Sequence, residues 1–205
     1  SANPWWIKLQ LKAPANAPQD WWLQAGGANL LDLRLYLPDA TGGWSERRSA
    51  EAVPFADGRD YNYRRSVFQL PSAQEGLTLY LRSYDPGGNT FPLQIWQLPD
   101  LVQEQIIENL LSGIIYGVII ALLLYNLFIY ASLRDSTYLW YVLTSVFALL
   151  FILGASGHGF QYLWPEQAVP GWLHRFTLPS LWGMCVCIFT MQLLQTRLYV
   201  PRLHY

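Results

Sequence analysis

The stretch LLSGIIYGVIIALLLYNLFIYASL, residues 110–133, decides how this chain is organised. It carries no charged side chain over 24 positions, and about 20 apolar residues suffice for a helix to cross a bilayer. Lipid offers the backbone no hydrogen bonds, so a spanning segment must satisfy its own N–H and C=O groups as an α-helix. Two further apolar segments follow at 137–155 and 176–196. A buried helix of a soluble enzyme would not come with such companions, and three membrane spans are expected.

Composition supports a division near residue 105. A 52% apolar content with 13% charge is unusual for one soluble domain, where about a quarter of residues are charged. Nine of the thirteen Lys and Arg and eleven of the fourteen acidic residues precede residue 105. A net charge of -1 without a basic run gives no footing for nucleic acid. Both cysteines, Cys185 and Cys187, lie in the last apolar segment. Two positions apart on a helix they point different ways, which argues against a disulfide or a metal site. The chain begins at Ser1 and ends at Tyr205 just beyond a span, so a removed leader or a fragment is expected.

Working back towards the N-terminus, leucines alternate with polar or aromatic residues. Ile7, Leu9 and Leu11 alternate with Trp6, Lys8 and Gln10; Leu31 to Leu37 alternate with Asp32, Arg34 and Tyr36. Leu77, Leu79 and Leu81 alternate with Thr78, Tyr80 and Arg82, and Leu93 and Ile95 with Gln94 and Trp96. Period-two alternation marks half-buried strands. Residues 21–23 and 66–70 are further strands, and Gly, Pro, Asn and Asp clusters separate them. Residues 1–99 are therefore expected to form an antiparallel β-sandwich, with a jelly roll among the candidate topologies. Arg64 shares the parity of Phe68 and Leu70, which points it inward, where it would need Asp57 or Asp60 as a partner.

The non-leucine faces carry Trp6, Arg34, Tyr36, Tyr80, Arg82 and Trp96. Aromatic rings supply stacking platforms and arginine a fork of donors, a mixture that suits the apolar faces and polar rims of sugars. The bland reading is that these rings pack under loops or form core on the second side.

Residues 100–205 read as the membrane region. Asp100 with Gln103 has the spacing of a helix N-cap and capping box, and no breaker intervenes before Leu133. One helix is expected to start in water and continue through the bilayer. Gly113 and Gly117 form a G-x-x-x-G pair that permits close helix packing, against a neighbouring span or a second subunit in a homodimer. Asn126, a lone amide in apolar surroundings, is expected to hydrogen-bond to another helix. Residues 133–136 form a tight turn, 157–171 a loop, and Pro179 falls in the first turn of the third span. Arg134, Arg197 and Arg202 flank the spans on one side and Arg175 on the other. Positive charge favours the cytoplasm, so the β domain is expected outside.

From Tyr116 onward the sequence becomes specific. LLLYNLF at 122–128, SLRDS at 132–136, YLWYV at 138–142 and GHGFQYLWP at 157–165 closely resemble the membrane domain of bacterial seven-transmembrane receptors with diverse intracellular signalling modules. Upstream, WIKL at 6–9, LYL at 35–37, Pro54-Phe55, Arg64, LYLR at 79–82 and LQIW at 93–96 are similar to that family's extracellular sensory domain. The resemblance implies a multi-pass protein of the bacterial inner membrane. Its periplasmic jelly roll would resemble carbohydrate-binding modules and sense a small carbohydrate or glycan. A missing cytoplasmic module such as a histidine kinase or diguanylate cyclase would provide the output. It also implies that Arg64 lines the ligand site with Arg82. No cofactor is expected.

The competing reading is a membrane-anchored enzyme acting on cell-surface glycans. Hydrolysis needs two carboxyl groups about 5 to 10 Å apart, and Asp57 with Asp60, or Asp20 with Asp32, are the candidates. His158, His174 and His204 are scattered, which gives metal catalysis no foothold. A transport role is disfavoured by spans that lack ionisable groups at mid-membrane depth.

Overall fold

In the computed structural model, residues 3–14, 20–28, 30–39, 41–49, 53–72, 76–85, 92–166 and 173–196 are described. The strands are β1 (Trp5–Leu11), β2 (Trp21–Ala25), β3 (Asp32–Pro38), β4 (Trp44–Ser49), β5 (Val67–Leu70), β6 (Leu77–Tyr84) and β7 (Leu93–Gln97). The helices are α1 (Leu98–Leu133), α2 (Ser136–Ser156) and α3 (Leu178–Leu193), with π-helical turns at Gly159–Leu163 and Leu173–Thr177. The chain divides into two compact units, one of Ser1–Ile106 with Ala155–Gly171, the other of Ile107–Gly154 with Trp172–Tyr205.

The first unit holds two antiparallel sheets, a four-stranded one in the order β1-β6-β3-β4 and a three-stranded one in the order β5-β2-β7. The leucine alternation explains their packing. Leu33, Leu35, Leu37, Leu77, Leu79 and Leu81 from one sheet meet Leu23, Ala25, Phe68 and Leu70 from the other in a single buried core. Each fully buried Leu or Phe side chain contributes about 1.5–3 kcal/mol through removal from water. In β1 and β7 the same parity is only half-effective, because both are edge strands: Ile7, Leu9, Leu11 and Leu93 are partly buried. The opposite face of the three-stranded sheet is buried too. Trp22, Tyr63, Val67 and Leu101 form a second cluster, against which Tyr61, Trp96 and Leu98 pack.

β4, WSERRS, is a strand that the alternation did not reveal. It pairs with β3 from Leu33–Ser49 to Pro38–Trp44, yet only Ser49 is buried. Its core-parity positions Ser45 and Arg47 lie where the narrower sheet gives little cover, so no apolar residue is required there. Arg47 instead donates to Asp60 at 2.6 Å.

Beyond β4, Arg59 closes the sandwich edge. Its guanidinium donates to the hydroxyls of Ser49 and Ser66 and lies over the Phe55 ring, 5.5 Å from its centroid. Burial pulls its pKa down to about 10, which leaves it charged at neutral pH.

The segment following α2 belongs to this same unit and packs on the β domain. Phe55 N–H donates to Pro165 O at 2.9 Å, and the Phe55 and Phe160 rings meet edge to face at 5.4 Å. Gln161 Nε2 donates to Asn62 Oδ1 at 3.0 Å. Gly157, at φ +84°, approaches so closely that a Cβ there would lie 2.5 Å from Ala28 Cβ. The expected loop is thus partly a π-helical turn. His158 is buried beside it, stacked with Tyr162 and within 3.1 Å of Ser156 Oγ.

Among the described residues, three helices are long and apolar enough to cross a membrane: Leu98–Leu133, Ser136–Ser156 and Arg175–Leu193. Their apolar side chains are largely uncovered, Ile114, Leu124 and Phe128 among them, as a lipid-facing surface requires. α2 and α3 meet through Tyr141 on Phe189 and Phe151 on Trp182, and Ser136 Oγ donates to Gln192 Oε1 at 2.8 Å. Pro179 sits in the first turn of α3, where its missing N–H is harmless.

Two local expectations need correction. α1 begins at Leu98, so Asp100 lies inside the first turn and is not its N-cap; burial of Leu98 and Leu101 in the second cluster starts the helix earlier. Asn126 satisfies its amide within its own helix, donating to Leu122 O at 2.8 Å. Nothing described lies within 4 Å of a Cβ added at Gly113 or Gly117, which leaves that face open for the expected close packing. Trp172, Arg197, Arg202 and His204 lie outside the described residues.

Candidate ligand-binding face

The outward face of the four-stranded sheet follows from strand register. Trp6, Arg82, Arg34 and Arg48 align across β1, β6, β3 and β4, and Lys8, Tyr80, Tyr36 and Glu46 form the next row. Antiparallel pairing brings directly opposed Cβ atoms within about 5 Å, which assembles an aromatic and charged surface from four separate stretches of sequence.

Two aromatic pairs straddle the strands. Trp6 stacks on Tyr36 at 5.5 Å with an interplanar angle of 25°, and Trp44 meets Tyr80 edge to face at 5.0 Å. Trp6 and Trp44 remain 57% and 49% exposed. Each indole is therefore steadied by a tyrosine while still presenting surface to solvent.

Asp32 organises the charged part. Its side chain is nearly buried and receives Arg34 Nε at 3.0 Å, Arg48 Nε at 2.8 Å and Arg82 Nη1 at 2.8 Å. Arg34 also reaches Glu46 at 3.1 Å. Burial alone would raise the Asp32 pKa, but the hydrogen bonds from Arg48 and Arg34 outweigh it and hold the carboxyl below its ordinary range. Burial and the neighbouring Glu46 carboxylate raise the Tyr36 phenol. Asp32 is consequently an ionised anchor that fixes three guanidinium groups on one face, and it holds no proton to donate at neutral pH.

The structure brings together Trp6, Tyr36, Tyr80 and Arg82 from the residues singled out in the sequence, with Arg34 among them. It places the other two elsewhere. Trp96 is on β7 of the other sheet, beside Trp22, and packs against the second buried cluster. Arg64 precedes β5 in an irregular segment, so strand parity does not govern it; its Nη1 donates to Ser156 O at 3.0 Å. Trp44, Glu46 and Arg48 went unrecognised because β4 lacks the apolar alternation that reveals a strand.

Three of the four carboxylates considered for hydrolysis, Asp20, Asp32 and Asp60, are engaged by neighbouring side chains. Asp20 accepts from Gln69 Nε2 at 3.1 Å, and Asp60 accepts from Arg47 and from the Gln69 N–H. Among the described residues no group of His, Cys, Asp and Glu has the arrangement of a metal site.

Comparison with known proteins finds two family models that match this chain. Residues 1–97 match the family model described as 7TMR-DISM extracellular 2. Residues 108–205 match the one described as 7TM diverse intracellular signalling. No curated protein and no solved structure matches the chain. With nearly its whole length covered by these two matches, the chain belongs to the 7TMR-DISM family of transmembrane sensory receptors with an extracellular domain.

Proposed function

We propose that the chain is the sensory and leading membrane portion of a bacterial inner-membrane receptor. Its N-terminal domain lies in the periplasm, binds a carbohydrate on the outer face of the four-stranded sheet, and signals to a cytoplasmic module of the full-length protein. One observation carries the ligand reading: the solvent-exposed Trp6 and Trp44 rings, each braced by a tyrosine, share one sheet face with three arginines fixed by Asp32. Flat exposed rings next to rigid donor forks suit a sugar better than they suit a protein partner that needs a broad apolar core.

The orientation draws support from charge: Arg134 lies in the turn between α1 and α2, and a positive charge beside a span favours the cytoplasm, which puts the β domain outside. Signal transfer has a candidate carrier in α1, whose 36 unbroken residues extend about 54 Å at about 1.5 Å per residue.

The test is binding of an oligosaccharide panel to the detergent-solubilised chain, with Trp6→Ala and Tyr80→Ala as variants. Each should weaken binding by about 1–3 kcal/mol while amide protection of β3 and β6 stays unchanged. Undiminished binding in both variants would remove this face from consideration.

A further inference from the structure

We propose that the ligand is an acidic oligosaccharide, and that its anionic groups are read by donors Asp32 leaves unused on the sheet face. The inference rests on reading this face as a glycan site and adds the ligand's charge. Arg34, Arg48, Arg82 and Lys8 stand on one face with Asp32 and Glu46 as the described carboxylates, so four cations meet two anions.

The imbalance is sharper in hydrogen-bonding capacity. A guanidinium has five N–H donors and an ammonium three, and neither accepts. Asp32 receives one arm from each of three arginines, while Arg34, Arg48 and Arg82 keep side-chain exposures of 29%, 43% and 25%. Part of each guanidinium therefore reaches solvent, with Arg34 Nη1 given to Glu46. A neutral sugar hydroxyl both donates and accepts, so a face weighted towards donors matches it less well than it matches an anion. A carboxylate or sulfate only accepts, and its charge shortens and strengthens each bond to a guanidinium.

Geometry favours a sugar acid over a membrane surface carrying the same charge. The arginines are locked in place by a common anchor, where lipid headgroups need only a diffuse positive field. The aromatic rings stack in pairs across the strands. A pyranose resting on Trp6 would set a ring substituent within reach of Arg82, its cross-strand neighbour.

Titration calorimetry on the full chain in zwitterionic nanodiscs tests this with three probes of matched length and linkage: an oligoglucose, the corresponding oligoglucuronate and a sulfated oligoglucose. The acidic probes should bind at least about tenfold tighter than the neutral one. That advantage should shrink as salt rises from about 0.05 to about 0.5 M. Arg82→Gln should remove the preference for acid. Because loss of Arg82 disturbs the Asp32 anchor, Lys8→Glu supplies a second variant at an exposed position, and it should weaken acidic binding by a larger factor than neutral binding. Preference for uronate over sulfate, or the reverse, identifies which anion the fork fits. Equal binding of neutral and acidic probes would overturn the inference and leave the glycan reading standing. Binding of none of them would overturn both. Binding only to vesicles of anionic lipid would show instead that the face contacts a membrane.

Discussion

Replacing Asp32 isolates the role of one carboxylate beneath three arginines. Its oxygens accept three charge-assisted hydrogen bonds at 2.8 to 3.0 Å, with 12% of the side chain exposed. A bond of this type contributes about 1.5–3 kcal/mol, and stranding a fully buried charge costs about 3–5 kcal/mol. The arginines here are a quarter to two-fifths exposed, so they recover some hydration and the bonds do not sum. Asp32→Ala should therefore destabilise the sheet by about 2–4 kcal/mol. Asp32→Asn should cost nearly as much, because it keeps an acceptor but aims an amide donor at the guanidinium groups. The assay is hydrogen exchange of β3, β4 and β6 amides in the detergent-solubilised chain, corrected for intrinsic rates. Exchange should rise by about thirty- to a thousandfold. Lowering the pH supplies an independent check. The folded pKa of Asp32 lies below its unfolded value, so its stabilisation is fully present above about pH 4 and fades as pH falls through the folded pKa. Exchange within threefold of the parent protein in both variants would refute the idea that Asp32 anchors this face.

Other expected outcomes follow from the remaining architecture. Gly157→Ala forces a side chain into a left-handed backbone conformation against Ala28, at about 1–3 kcal/mol; exchange at 157–165 should accelerate, and unchanged protection would mean the segment is not seated as described. A cysteine reporter at Gly42 should react with an impermeant reagent applied to intact cells and one at Asp135 should not; the reverse pattern inverts the orientation. Inserting two glycines after Gln105 should spare ligand affinity and abolish output in the full-length receptor, since flexible residues dissipate a rigid shift. Output that survives the insertion would move attention to the docked 155–166 segment as the carrier.

Features that depend on local periodicity are legible in the amino-acid sequence. Leucines at every second position named the core faces of β3 and β6, because a pleated strand turns successive side chains to opposite sides. Uncharged runs named the spans, since the hydrocarbon layer sets a minimum apolar length. Which faces stay in water depends on how the sheets and the segments beside them pack. Trp6 and Trp96 look alike in the sequence, yet Trp6 stays largely exposed while Trp96 packs against a cluster built from Tyr63 and Leu101. Asp32 read as one acid among many until Arg34, Arg48 and Arg82 converged on it from three strands. β4 stayed hidden because an edge strand left uncovered by the narrower sheet needs no apolar residues to pair its backbone. The seating of Phe160 on Phe55 joins residues more than a hundred positions apart. Such contacts depend on how faces meet in space, which no periodicity along the chain encodes.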